Sequence, residues 1–229
     1  MISGLEAVML AVNLELLILK GSERLTRVKI CGLCRPADIE IVNVAKPDYI
    51  GFVFAKSRRQ VDKRTAAGLK MMLNPDIKAV GVFVNEVLDA IISLCRENVI
   101  DMVQLHGDET EEYICRLKAA VDKPIIKAVR VKDSSDASRP EYKSCDYLLF
   151  DSFREDTYGG SGISFDWSLI EGCDKPFFLA GGINQDNIVE AIKRVAPYCI
   201  DVSSGVETNG YKDFNKVVNM VNTVRSVSK

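Results

Sequence analysis

The sequence predicts an α/β chain folded as a single closed (β/α)8 barrel, and three observations predict it. From Arg27 onward, eight short apolar runs rich in Val, Ile and Phe alternate with longer amphipathic segments, the pattern of strands each followed by a helix. No stretch rich in Pro, Gly or Ser divides the 229 residues. Single α/β barrels commonly occupy this length. A doubly wound open sheet is the alternative for such an alternation, but it usually has about five or six strands.

The expected strands are RVKIC, DYIGFVF, IKAVGVFV, DMVQLH, PIIKAVRV, CDYLLFD, PFFLAGG and CIDVSSG. Helices are expected over Arg35–Ala45, Lys63–Leu73, Glu86–Glu97, Glu109–Ala120, Ser138–Lys143 (weak), Ser164–Glu171, Asn184–Val195 and Lys212–Ser226. Asn85, Asp108 and Asn184 stand where N-caps are expected, since a short polar side chain satisfies the first free amides of a helix. Residues 1–26 form an extension ahead of a catalytic barrel over 27–229. Leu5, Met9, Val12, Leu16 and Leu19 fall on one helical face of it. It reads either as an extra amphipathic helix or as a tail ahead of the true start.

Composition bounds the function. With 47% hydrophobic and 27% charged residues and a net charge of −2, nothing points to a nucleic-acid partner. No run is apolar and long enough to span a bilayer, and the N-terminus lacks the basic region of a secretory signal. The 7 cysteines are odd in number and irregularly spread, which reads as reduced thiols in a cytoplasmic protein. The chain is expected to act as a monomer or homodimer.

Strand alternation places polar groups inside the barrel. Residues two apart share a face, so Lys29 and Cys31 face inward while Val28 and Ile30 face the helices. By the same count Gln104 and His106 share one face, Asp201 and Ser203 another, and Asp151 ends its strand facing inward; Lys127 interrupts its strand similarly. A buried lone charge is costly, so each needs a partner or a ligand. A structural ion-pair network would satisfy that. Clustering at the C-terminal ends of strands favours a site, because barrel enzymes build theirs there. His106 is the sole histidine and also suits a structural hydrogen bond.

The turns AGGINQDN and SSGVETNG follow strands seven and eight. Backbone amides at such turns bind phosphate, and in these barrels the two loops form the usual phosphate site. TYGGSG, residues 157–162, reads either as a loop closing over a ligand or as a plain connection.

KICG, GFVF…SRR, VGVFVNE, VQLHGDE, LLFDS…YGGSG…FDW, LAGGI…N and DVSSGVE…G…KD together resemble the phosphoribosylanthranilate isomerases of tryptophan biosynthesis, over Val28 to Asp213. The resemblance implies an Amadori rearrangement of N-(5-phosphoribosyl)anthranilate to the aminoketose, without metal or organic cofactor. It implies Asp151 as general acid and Cys31 as general base. For those roles the Asp151 pKa should be raised and the Cys31 pKa lowered, with Lys29 assisting the thiolate. It implies that Arg59 holds the anthranilate carboxylate, although Arg58 stands beside it. Phosphate would sit on Gly181, Gly182, Ser203, Ser204 and Gly205, with Gly160 closing over it. Gln104, His106 and Asp201 would line the pocket. Lys56 stands where the family often has proline, and Cys34 where it often has threonine.

Three other readings compete. A metal-dependent sugar-phosphate epimerase on the same barrel needs several histidines, and there is one. A thiol–disulfide protein would use Cys31 and Cys34 as a C-x-x-C pair, but a thioredoxin-like chain has fewer strands. A barrel that binds phosphate without catalysis would not need Cys31 and Asp151.

Overall fold

The structure is a computed structural model and describes residues 25–132, 142–152, 165–170 and 172–227. All eight expected strands are present and hydrogen-bond in chain order as a closed parallel barrel. They are β1 (Arg27–Cys31), β2 (Tyr49–Val53), β3 (Lys78–Phe83), β4 (Met102–Leu105), β5 (Ile125–Val131), β6 (Tyr147–Ser152), β7 (Phe177–Leu179) and β8 (Cys199–Val202). The helices are α1 (Pro36–Ala45), α2 (Lys63–Met72), α3 (Leu88–Arg96), α4 (Glu111–Ala120), α5 (Ile188–Val195) and α6 (Phe214–Val227).

Two apolar layers follow from the alternation. Val28 and Ile30 of β1, Phe52 of β2, Val103 of β4, Phe150 of β6 and Ile200 of β8 pack outward against the helices. Tyr49, Val80, Met102, Ile126, Leu149, Phe178 and Cys199 fill the barrel interior. At the N-terminal end the Tyr49 and Tyr198 hydroxyls meet at 3.0 Å and close the floor. Three aspartates just ahead of even-numbered strands serve the preceding strand. Asp48 accepts from the Val28 amide at 2.8 Å, Asp101 from Ala79 at 2.7 Å and Asp146 from Ile125 at 2.8 Å. Each also pairs with a helix cation, Arg225, Lys70 or Lys118 respectively. Amides that would otherwise be unsatisfied at the strand starts are thereby paired.

Some expectations fail locally. The three expected N-caps are turn residues instead. The α3 cap is Val87, and Asn85 is left-handed at φ 52° with its side chain accepting from the Asp108 amide. Thr110, not Asp108, caps α4. Asn187 opens α5, while Asn184 accepts from Asp186 in a tight turn. The Asn85 and Asn184 side chains satisfy loop amides, the competing use of the same chemistry, and Asp108 pairs with Arg130. Of the expected helix over Ser164–Glu171, the described part is a single 3-10 turn, Trp167–Ile170. Of the weak helix over Ser138–Lys143 only residues 142 and 143 are described, and neither is helical; nearly all of the N-terminal extension lies outside the described residues. No helix among the described residues is long and apolar enough to cross a membrane.

Candidate active site

The C-terminal mouth of the barrel opens into a cavity of about 540 Å3. Cys31 of β1, Gln104 and His106 from β4, Asp151 of β6, and Asp201 and Ser203 from β8 all line it, together with Arg59 from the loop after β2. Gly181, Gly182, Ser204 and Gly205 line it as well. Every expected site residue among those described therefore reaches one cavity. Gly160 lies outside the described residues.

The register across β1 and β8 sets Lys29 beside Asp201. Lys29 is wholly buried and its Nζ lies 2.7 Å from Asp201 Oδ2. Burial works against the lysine charge, but Asp201 and the Cys31 sulfur outweigh it and hold the ammonium above its usual pKa. Asp201 Oδ1 is buried with no partner among the described residues.

Cys31 differs from expectation. Burial pushes its thiol above the ordinary value of 9.0; Lys29 and Lys212 pull it down, and Asp201 adds to the rise. Dehydration of the thiolate outweighs the two cations because the Lys29 charge is already neutralised by Asp201. Gly51, the register partner of Cys31 on β2, makes room for the sulfur: a Cβ at Gly51 would lie 2.5 Å from Cys31 Sγ.

Asp151 takes a hydrogen bond from its neighbour, the Ser152 amide, at 2.8 Å on Oδ1, and faces His106 Nε2 at 3.2 Å on Oδ2. Behind it Gly181 has φ 78°, and a Cβ there would lie 2.7 Å from the Ser152 nitrogen. Glycine meets both the left-handed backbone and the close approach. The loops after β7 and β8 touch as well, since a Cβ at Gly205 would lie 2.1 Å from the Ile183 carbonyl oxygen.

Arg59 is anchored by a residue that sequence reasoning did not single out. Its Nε and Nη2 donate to Glu207 Oε1 and Oε2 at 2.7 and 2.8 Å. Arg58 and the buried Lys212 also pair with Glu207. Burial opposes the Glu207 charge, but hydrogen bonds from Arg59 and Lys212 outweigh it and keep the carboxyl below its usual range. Glu207 and Lys212 stand inside the DVSSGVE…G…KD stretch; their partner at Arg59 is 148 residues away for Glu207, so no local pattern reveals it. Between Arg59 and the barrel, Val53, Phe54, Val82 and Val84 form an apolar wall. Phe54 there stacks on Phe83 with centroids 5.0 Å apart.

Lys127 is the one inward expectation that is overturned. Its strand neighbours Ile125 and Val129 belong to the outer layer, and its Nζ reaches Glu109 at 2.8 Å and the Gly107 carbonyl at 2.7 Å. It is a structural strut behind the β4 loop. Cys34 lies outside the mouth cavity, in a separate pocket with Arg58 and Tyr211, and both Cys31 and Cys34 are free thiols. Among the described residues no cluster of His, Cys, Asp or Glu is arranged to hold a metal ion.

Fold and site define the class: a single-domain (β/α)8-barrel enzyme with its pocket at the C-terminal mouth. The family model for N-(5'-phosphoribosyl)anthranilate (PRA) isomerase matches residues 28–223. The N-(5'-phosphoribosyl)anthranilate isomerase of Endomicrobium trichonymphae is 52% identical over 201 residues, 88% of this chain and 99% of that one. The crystal structure of phosphoribosyl anthranilate isomerase from Thermotoga maritima superposes with a TM-score of 0.79 at 33% identity, covering 88% of this chain and 99% of that one. A phosphoribosyl anthranilate isomerase in complex with reduced 1-(o-carboxyphenylamino)-1-deoxyribulose 5-phosphate gives 0.76 at 33% identity, with the same coverage. The chain belongs to the N-(5'-phosphoribosyl)anthranilate isomerase family.

Proposed function

We propose that the chain isomerises N-(5'-phosphoribosyl)anthranilate to 1-(2-carboxyphenylamino)-1-deoxyribulose 5-phosphate in tryptophan biosynthesis, with Asp151 as general acid and Cys31 as general base. The observation that carries the assignment is the convergence of a thiol and a carboxyl group, 120 residues apart in sequence, on one cavity between an arginine and two glycine-rich loops. Asp151 gives a proton to the ribose ring oxygen as the C1–O bond breaks, leaving an iminium at the anthranilate nitrogen. The Cys31 thiolate takes the C2 proton, and its electron pair neutralises the iminium to give an aminoenol. Tautomerisation to the ketone places a proton on C1 and completes the isomerisation.

The raised Cys31 pKa fits a base of this kind. A thiolate of higher pKa is the stronger base once formed, and an iminium cation at C1 supplies the positive charge that favours it. The charge layout suits the substrate's two anionic ends. Arg59, with an edge left beyond its contacts to Glu207, and the Phe54 wall suit a planar aromatic carboxylate. The amides near Gly181, Gly182, Ser203, Ser204 and Gly205 suit a phosphate. Asp201 Oδ1 suits a ribose hydroxyl.

Complementation of a tryptophan auxotroph lacking this isomerase tests the reading. The wild-type chain restores growth, and Asp151→Asn and Cys31→Ser impair it. Growth of the Asp151→Asn strain at the wild-type rate overturns the acid assignment.

A further inference from the structure

Gln104 and His106 project into the barrel from β4 and meet Asp151 of β6 in a buried line. Gln104 Nε2 lies 2.8 Å from His106 Nδ1, and His106 Nε2 lies 3.2 Å from Asp151 Oδ2. An amide nitrogen only donates. In this arrangement Nδ1 is therefore the acceptor, and the hydrogen of the neutral ring sits on Nε2 and points at Asp151. The Ser152 amide donates to the other carboxylate oxygen at 2.8 Å. A donor thus faces each Asp151 oxygen, the pattern in which a carboxylate accepts. Gln104 Oε1, meanwhile, is buried with no partner among the described residues.

Turned by 180° about its terminal bond, the same amide presents Oε1 to the ring. Nδ1 must then carry a hydrogen, and Nε2 either accepts a proton held on Asp151 Oδ2 or keeps its own as an imidazolium. With Oδ1 occupied by the Ser152 amide, the contact between Oδ2 and Nε2 is where the additional proton rests. We propose that Gln104, acting through His106, sets whether Asp151 stands as acid or as carboxylate: amide oxygen to the ring for the acid, amide nitrogen for the carboxylate. The acid state holds one proton more, taken from solvent. Giving that proton to the ribose ring oxygen, with Nδ1 releasing its hydrogen to solvent and Nε2 taking one up from solvent, returns the line to the carboxylate state. Gln104 is proposed as a positioning residue, acting through its contact with His106. The inference rests on the reading of Asp151 as the acid.

Charged groups on the neighbouring strands have partners among the described residues. Behind β4, Glu109 pairs with Lys127 of β5 at 2.8 Å. Arg130 of β5 is the register partner of Asp151 and pairs with Asp108 at 2.8 Å. Across the mouth, Asp201 of β8 pairs with Lys29 of β1, next to Cys31. Gln104 switches between donor and acceptor toward His106 by rotation alone, with no proton moved on its own side chain.

The chain has one histidine, so a 15N spectrum of the full protein shows a single imidazole and reads its tautomer directly. Gln104→Glu supplies only acceptors and is expected to move His106 to the Nδ1–H form and to shift the alkaline limb of kcat/KM upward by about one pH unit. Gln104→Leu supplies neither donor nor acceptor; it is expected to shift that limb downward and to cut kcat by about tenfold or more with KM little changed. Thermal melts followed by circular dichroism report whether each variant folds. The same His106 tautomer in the folded wild type, Gln104→Glu and Gln104→Leu overturns the proposal, whatever the activities. A tautomer that moves with no change in the pH–rate profile, alongside an active Asp151→Asn variant, overturns instead the assignment of Asp151 as the acid.

Discussion

Lys29 Nζ lies 2.7 Å from Asp201 Oδ2 with the lysine side chain wholly buried directly below Cys31. The pair joins the first strand of the barrel to the last and sets the charge beneath the proposed base. Removing one member strands the other in a dry interior. Lys29→Met is expected to lower stability by about 3–5 kcal/mol, measured by urea denaturation. The same variant is expected to push the Cys31 thiol further up, slowing its alkylation at neutral pH. A Cys31 that titrates unchanged in Lys29→Met removes the lysine from any part in activating the base.

Burial holds the Cys31 thiol above 9.0, and the sign of its pH dependence follows. Below that pKa the group is mostly neutral thiol, and the thiolate fraction grows about tenfold per pH unit as pH rises toward it. Alkylation of Cys31 by iodoacetamide is expected to accelerate through neutral pH and to level off only above 9.0. A plateau already reached near neutral pH would show a thiolate stabilised beyond what this site provides.

Gly51 seats the sulfur of Cys31, and a Cβ there would intrude to 2.5 Å. Gly51→Ala is expected to turn the thiol out of line and lower kcat by about a hundredfold, the scale of an ångström-sized misplacement of a reacting group. Gly68→Ala is the control. Gly68 lies in α2 with nothing within 4 Å of an added Cβ, and its substitution is expected to stabilise the fold by about 0.4–1 kcal/mol at unchanged kcat. Steady-state kinetics on both variants compare them.

Glu207 fixes the Arg59 guanidinium through two hydrogen bonds. Glu207→Gln weakens the hold of one charge-assisted bond, on the order of 1.5–3 kcal/mol. The expected result is a KM increase of about tenfold to a hundredfold with kcat changed much less. A fall in kcat at unchanged KM would place Arg59 in the chemistry and not in binding.

The barrel was legible in the chain because strand periodicity is local. Each apolar run carries its own alternation, and eight of them separated by amphipathic segments leave few architectures. The same alternation placed Lys29, Cys31, Gln104, His106, Asp151 and Asp201 inside before any fold was known. Helix ends were less legible, since Asn85 and Asn184 have cap chemistry that the loops used for their own amides, and Asp108 pairs with Arg130. Lys127 misled for a related reason: a charge interrupting a strand looks alike on either face until its partner is known, and Glu109 draws it outward.

The sequence by itself determined the barrel, the inward polar set and the family. It carried these because periodicity and motif spacing are properties of neighbouring residues. Only the tertiary structure decided which charges meet: Lys29 with Asp201 across 172 residues, Arg59 with Glu207 across 148, and His106 with Asp151 across 45. It also decided the direction of the Cys31 pKa, because desolvation depends on everything packed around the sulfur, and a buried ion pair spends its field on its own partner before reaching a neighbour.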